Sequence, residues 1–143
     1  MVSSGVTNIE RLDAHGRTAE EARNVATVRE IFEGFSRSDF TVLRSKMADG
    51  ASTWVVGFSA ETLGSNFGDP AFVPKLFCNG MHFDIKQAAA EGNLVCVEWD
   101  DEAITSRGDR YHNTGVSLFT FDGDGKILSY REYINPQNFF EVM

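Results

Sequence analysis

The stretch that most constrains this chain is Asp122-Gly123-Asp124-Gly125, set between two runs rich in β-branched and aromatic residues. The run before it reads Tyr111-His112-Asn113-Thr114-Gly115-Val116-Ser117-Leu118-Phe119-Thr120-Phe121. The run after it reads Lys126-Ile127-Leu128-Ser129-Tyr130-Arg131-Glu132-Tyr133-Ile134 and is closed by Asn135-Pro136. Gly and Asp supply the backbone conformations that a tight reversal needs, so the stretch predicts an antiparallel hairpin. Side chains alternate along a strand, which puts Leu128, Tyr130, Glu132 and Ile134 on one face. A carboxylate on an otherwise apolar and aromatic face must find water, a partner or a chemical task. Glu132 is therefore the first candidate functional residue.

The same pattern recurs upstream. His82–Ala90 and Leu94–Thr105 read as strands separated by the turn Glu91-Gly92-Asn93, and Ser106-Arg107-Gly108-Asp109 leads into the Tyr111 run. Successive β runs with short turns predict a meander. Ahead of them, Thr18-Ala19-Glu20-Glu21 has the form of a helix start, with Thr18 as N-cap and Glu21 as its reciprocal partner. Val25, Val28, Ile31, Phe32 and Phe35 then mark one buried helical face. A second short helix is expected over Phe40–Met47, with Leu43 and Met47 inward, then a turn at Asp49-Gly50 and a strand over Ser52–Phe58. Ala60–Asp69 reads as a loop. A third helix is expected within Pro70–Asn79, with Pro70 or Pro74 in its first turn. Residues 1–17 show no period and read as a flexible N-terminal arm, leaving 18–143 as a single domain. Helices first and a meander after them give an α+β fold, helices packed on one face of a curved sheet, with room for a pocket between the layers.

Bulk properties narrow the partners. A chain of 143 residues buries roughly two-thirds of its unfolded surface and needs no disulfide or metal to fold. A formal net charge of −8 with no basic stripe disfavours nucleic acid and anionic membrane. The N-terminal residues lack the apolar core of a secretory signal, and no stretch has the apolar length of a membrane span. A cytoplasmic protein with Cys78 and Cys96 as buried, reduced thiols is the expectation. The scattered histidines His15, His82 and His112 share no ligand spacing, so no metal is expected.

The order helix, helix, strand, helix and four-strand meander resembles the NTF2-like, SnoaL-like α+β cone from Ala22 onward. The segment Gly125-Lys126-Ile127-Leu128-Ser129-Tyr130-Arg131-Glu132-Tyr133-Ile134-Asn135-Pro136-Gln137-Asn138-Phe139 is similar to the pattern G-K-I-x-x-W-R-D-Y-F-D-x-x-x-F of limonene-epoxide-hydrolase-like members. In that branch the Asp of W-R-D is a water-activating base. It works with an Arg-x-Asp pair on the preceding long strand, and a Tyr and an Asn on the first strand help hold the water. Carried onto this chain, the base position is Glu132, the Arg-x-Asp pair falls on Glu98 and Asp100, and the Tyr and Asn positions fall near Trp54 and Val56. Glu98 carries the opposite charge to the Arg it replaces. Carboxylates gathered in one pocket cannot all ionise cheaply, so the resemblance implies an acid/base pair, Asp100 with Glu132.

Hydrophobic patterning opposes part of this reading. It would bury Val95, Val97 and Trp99 and send Glu98, Asp100 and Glu102 to water. The resemblance implies the reverse, with Asp100 inside. By the same register Asn113, Gly115, Ser117 and Phe119 face the pocket, with Asn113 and Ser117 as substrate-binding groups beside Trp54, Val56, Glu98, Tyr130 and Phe139. His112, at the mouth of its strand, is a weaker candidate for a proton shuttle. The resemblance thus implies a small, cofactor-independent enzyme, a homodimer, moving protons on a hydrophobic polyketide-, steroid- or terpenoid-like molecule by isomerisation, cyclisation, dehydration or epoxide opening. The alternative is a non-catalytic domain of the same fold that binds a small ligand or another protein.

Overall fold

The computed structural model describes residues 2–58 and 72–143. The elements run β1 (Gly5–Thr7), a 3-10 turn (Ile9–Leu12), α1 (Ala19–Ser36), α2 (Thr41–Lys46), β2 (Met47–Val55), α3 (Phe72–Leu76), β3 (His82–Glu91), β4 (Leu94–Ile104), β5 (Arg110–Phe121), β6 (Ile127–Ile134) and α4 (Pro136–Phe140). The strands form one sheet in the order β1-β3-β4-β5-β6-β2. The meander β3 to β6 is antiparallel, while β1 joins β3 and β2 joins β6 in parallel at the two edges. This is the α+β, NTF2-like cone: helices on one face of a curved, mostly antiparallel sheet.

The capping box at Thr18 starts α1. Thr18 Oγ1 accepts from the Glu21 N–H at 3.1 Å, and Glu21 Oε1 accepts from the Thr18 N–H at 2.9 Å. The second Glu21 oxygen accepts from the Gly92 N–H at 2.8 Å, tying the helix start to the β3–β4 turn. Val25, Val28, Ile31, Phe32 and Phe35 are all buried. Phe32 packs edge-on against Phe83 of β3 at 5.6 Å and Phe119 of β5 at 6.3 Å. Apolar burial of this kind is the main term holding helix to sheet. In α2, Leu43 is buried, and the Thr41 N–H is capped by Asp39 Oδ1 at 3.1 Å.

The structure differs from the sequence expectation at several points. Residues 1–17 include β1 and the 3-10 turn, with Leu12 fully buried. A strand of three residues is too short to show a period, and its partner β3 lies far along the chain. Leu12→Ala is expected to lower unfolding free energy by about 2–5 kcal/mol, read from denaturant midpoints; a change under about 0.5 kcal/mol would mean that this segment is not part of the folded unit. Asp49-Gly50 is not a turn between elements but lies inside β2, where Gly50 has φ +74° and the register with β6 shifts between Met47 and Ser52. The expected loop Ala60–Asp69, and Pro70 with it, lie outside the described residues. Leu128 does not share a face with Tyr130: an irregularity between β5 and β6 turns Ile127 inward and leaves Leu128 44% exposed. Cys78 and Cys96 are free thiols, as unpaired cysteines should be, but Cys78 is exposed and Cys96 only part-buried. Among the described residues, no helix is long and apolar enough to cross a membrane.

Candidate active site

A hollow of about 160 Å3 lies between the helices and the inner face of the sheet. Its walls are mostly aromatic and aliphatic: Phe35 of α1, Leu43 of α2, Val55 of β2, Phe83 of β3 and Phe139 of α4. Two carboxyl groups enter it, Asp101 from β4 and Glu132 from β6, together with the hydroxyl-bearing rings of Tyr111 and Tyr130. No Lys, Arg or His is among the described residues lining it.

The carboxyl group on β4 is therefore Asp101, not Asp100. β4 buries Val95, Val97, Trp99, Asp101 and Ala103 on one face, following the plain alternation of its apolar residues. Asp100 points to the other side of the sheet, where Lys86 Nζ holds it at 3.3 Å. Glu98 is on that outer face too and accepts from Gln87 Nε2 at 2.8 Å. Asp100→Asn is accordingly expected to change stability by less than about 0.5 kcal/mol, because an exposed ion pair contributes little. Thermal denaturation measures it; a larger loss would mean that the outer pair holds the edge of the sheet.

The same alternation governs β2. Its register with β6 sets Trp54 against Arg131 and Val55 against Glu132. Facing neighbours share a side of the sheet. Val55 lines the hollow, whereas Trp54 lies outside, 5.1 Å from the Tyr133 ring and with the Arg131 guanidinium 4.2 Å above it. Val56 follows the strand and donates its N–H to the Glu132 carbonyl at 2.9 Å, so neither Trp54 nor Val56 reaches the hollow.

On β5, Asn113, Gly115, Ser117 and Phe119 do face inward and are buried. Asn113 is not available to a ligand. Its Nδ2 donates to Tyr111 Oη and to the Asn135 carbonyl, both at 2.9 Å, and its Oδ1 accepts from the Thr114 and Asn135 N–H groups, both at 2.9 Å. That uses the full capacity of an amide side chain, and it pins the end of β6 against β5. Ser117 is fully buried; its Oγ accepts from Trp99 Nε1 at 2.9 Å and lies 3.2 Å from Tyr130 Oη. Tyr130 Oη donates to Glu132 Oε1 at 2.7 Å. Tyr130 and Phe139 stand in the wall of the hollow. His112 is exposed on the outer face, its Nδ1 2.9 Å from the Asp101 carbonyl.

The electrostatics separate the two acids. Burial pushes the Asp101 carboxyl well above the ordinary range, the nearby Glu132 charge adds to this, and a hydrogen bond from the Asn113 backbone opposes it. Asp101 Oδ1 has no hydrogen-bond partner among the described residues. Burial also raises Glu132, but the Tyr130 hydroxyl works against the rise. Like charges in a dry site titrate one after the other. With Asp101 raised further and Glu132 holding a donor, the arrangement favours a protonated Asp101 beside an ionised Glu132. Both tyrosines are raised by burial and stay protonated. Asp101, Tyr111 and Val55 are the residues the sequence reading missed. The alternation of β4 was the signal that would have found Asp101.

Comparison with known proteins agrees with this fold. A family model described as SnoaL-like domain matches residues 28–130. No curated protein sequence matches the chain. Among solved structures, a protein of Jannaschia sp. CCS1 assigned as a SnoaL-like polyketide cyclase superposes with a TM-score of 0.70 at 18% identity, covering 90% of this chain and 96% of that one. An LEH-like epoxide hydrolase of M. tuberculosis superposes with a TM-score of 0.63 at 21% identity, covering 86% and 90%. TerC, co-crystallised with polyporic acid, gives 0.64 at 20% identity, covering 84% and 97%. At these identities the superpositions show a shared fold, and the match along most of its length shows that the chain belongs to the SnoaL-like domain family.

Proposed function

We propose that this protein is a cofactor-independent enzyme that moves a proton on a small apolar molecule, with Glu132 as general base and Asp101 as general acid. The observation that carries this reading is the pair of carboxyl groups on β4 and β6 in one apolar hollow, both raised by burial, with the Tyr130 hydroxyl opposing the rise at Glu132. Environments that push two titratable groups apart are the signature of an acid/base pair. In an isomerisation, Glu132 takes the proton from a carbon beside a carbonyl while Asp101 gives its proton to the carbonyl oxygen. The neutral enol then regains a proton at carbon, and both acids return to their starting states. Opening an epoxide uses the same groups: Glu132 takes a proton from water as that water attacks carbon, and Asp101 protonates the departing oxygen.

The hollow limits the substrate. Ligand sites for drug-sized molecules span about 300–1,000 Å3, whereas apolar hollows of about 150 Å3 hold a single benzene ring. At about 160 Å3 this site suits a single-ring ketone, enone or epoxide. The oxygen of such a molecule meets Asp101, the one buried carboxyl oxygen without a partner among the described residues. The test is a panel of single-ring enones and epoxides incubated in deuterated water. Deuterium incorporation or ring opening above the buffer rate supports the enzyme. Ligands that bind in the hollow with no exchange and no opening would make it a binding domain instead.

A further inference from the structure

Trp99 stands where the resemblance would set an arginine once the true face of β4 is taken into account, and nothing in the acid/base pair itself requires an indole there. The ring is nonetheless built into the site. Trp99 pairs with Gly115 across β4 and β5. A Cβ at Gly115 would sit 2.7 Å from the indole Cζ2 and 2.8 Å from Cη2, so only a glycine lets the ring lie across the strand. Lying there, the indole brings Nε1 to Ser117, two residues further along the same face, at 2.9 Å. Ser117 Oγ is 3.2 Å from Tyr130 Oη, which donates to Glu132 Oε1 at 2.7 Å. Trp99, Ser117 and Tyr130 are all buried, at 3%, 0% and 3% exposure.

We propose that Trp99 is a positioning residue: its indole N–H, acting through Ser117 and Tyr130, fixes the direction of this hydrogen-bond chain and so holds Glu132 ready to accept a proton. The inference rests on Glu132 being the base of the proposed reaction. An indole N–H can donate and cannot accept. Once Ser117 accepts from it, the Ser117 proton is free for Tyr130, and the Tyr130 proton is free for Glu132. Every donor then points at the carboxylate. If Glu132 were protonated and donated back, Tyr130 would have to donate to Ser117, and the Ser117 proton would be stranded in a dry interior, which is costly. Chains of this kind also strengthen one another in a low-dielectric site. Three titratable groups face Glu132: Asp101 from β4, Tyr111 from β5 and Tyr130 from its own strand. The side chains that α1, α2, α3, α4 and β2 present to the hollow are aliphatic or aromatic. The donor chain is therefore the counterweight to burial and to the neighbouring acid.

The experiment follows the Glu132 carboxyl by 13C NMR of the full-length chain labelled at glutamate, assigned by Glu132→Gln, in wild type, Trp99→Phe and Ser117→Ala. Removing either link is expected to raise the Glu132 midpoint by about half to one pH unit. The rising limb of any pH–rate profile should move with it, while the rate on the high-pH plateau changes less. Ser117→Ala removes a single oxygen, so it decides the matter if Trp99→Phe packs poorly. A folded Ser117→Ala protein whose Glu132 midpoint is unmoved overturns the inference. The titration does not depend on turnover. Loss of the proposed reaction with a shifted midpoint removes the function and leaves the chain, and the reverse outcome removes only the chain.

Discussion

Glu132→Gln is expected to lower kcat by about 10²–10⁴-fold, the usual contribution of a general base, while the affinity for a neutral ring changes by no more than a few-fold. The substitution is nearly isosteric. The amide oxygen can still accept the Tyr130 hydroxyl that now sits 2.7 Å from Oε1, so the hydrogen-bond chain and the wall of the hollow survive. What is lost is the capacity to take up a proton. Steady-state kinetics and calorimetric binding separate the two effects. A variant that turns over at the wild-type rate would remove Glu132 from the mechanism, and one that no longer binds would make it a recognition group.

Asp101→Asn should act on activity and stability in opposite directions. The amide cannot give up a proton, so turnover is expected to fall by about 10²-fold or more. Stability is expected to rise at neutral pH, and the sign follows from linkage. Asp101 is raised well above its ordinary value of 3.8 by burial, while in the unfolded chain it ionises near that ordinary value. A raised folded-state pKa gives stability that is fully present below the unfolded value and is lost as pH rises through the folded one. The loss grows across the span between the two values, so at pH 7 the wild type, with Asp101 still protonated, has already given up part of that contribution. Asparagine carries no charge to desolvate, and its carbonyl can take the hydrogen bond from the Asn113 backbone. The variant should therefore be more stable at pH 7 by about 0.5–2 kcal/mol, within the range of stabilising substitutions at sites that trade stability for function. The gap should close below about pH 4, where both side chains are neutral. Urea midpoints at the two pH values test this. A variant less stable than wild type at pH 7 would mean that the Asp101 carboxylate is ionised and well solvated by its hydrogen bonds, and its role as acid would go.

Much of the fold could be read from local chemistry. The capping box at Thr18 and Glu21, the apolar stripe from Val25 to Phe35, and the Gly/Asp turn before β6 each depend on a few adjacent residues. Glu132 was legible for the same reason: it interrupts an apolar face on a strand whose ends are marked. Asp101 was not, and the cause is the period of two. A slip of one residue moves every side chain of a strand to the opposite face. Carrying the Arg-x-Asp pattern onto Glu98 and Asp100 contradicted the burial of Val95, Val97 and Trp99. Slid by one position, the same pattern falls on Trp99 and Asp101, in agreement with the alternation. The hydrophobic pattern was the stronger signal, because turning it outward would expose several large side chains to water. The inward turn of Ile127 and the pairing of β1 with β3 depend on a register break and on contacts distant in sequence, and neither leaves a periodic trace.

The clamp that Trp54 and Tyr133 form on Arg131 carries a consequence for the base beside it in the chain. Arg131 and Glu132 are covalent neighbours of opposite charge, yet the pleat sends them to opposite sides, and the two rings give the guanidinium a resting place that it has no reason to leave. The sheet thus works as an insulating partition. It keeps the guanidinium next in sequence from pairing with the Glu132 carboxyl, and no Lys, Arg or His among the described residues lines the hollow in its place. One residue added or removed between the hairpin turn and Tyr130 would exchange the two sides, bringing the Arg131 guanidinium to the hollow and carrying Tyr130 and Glu132 out to water.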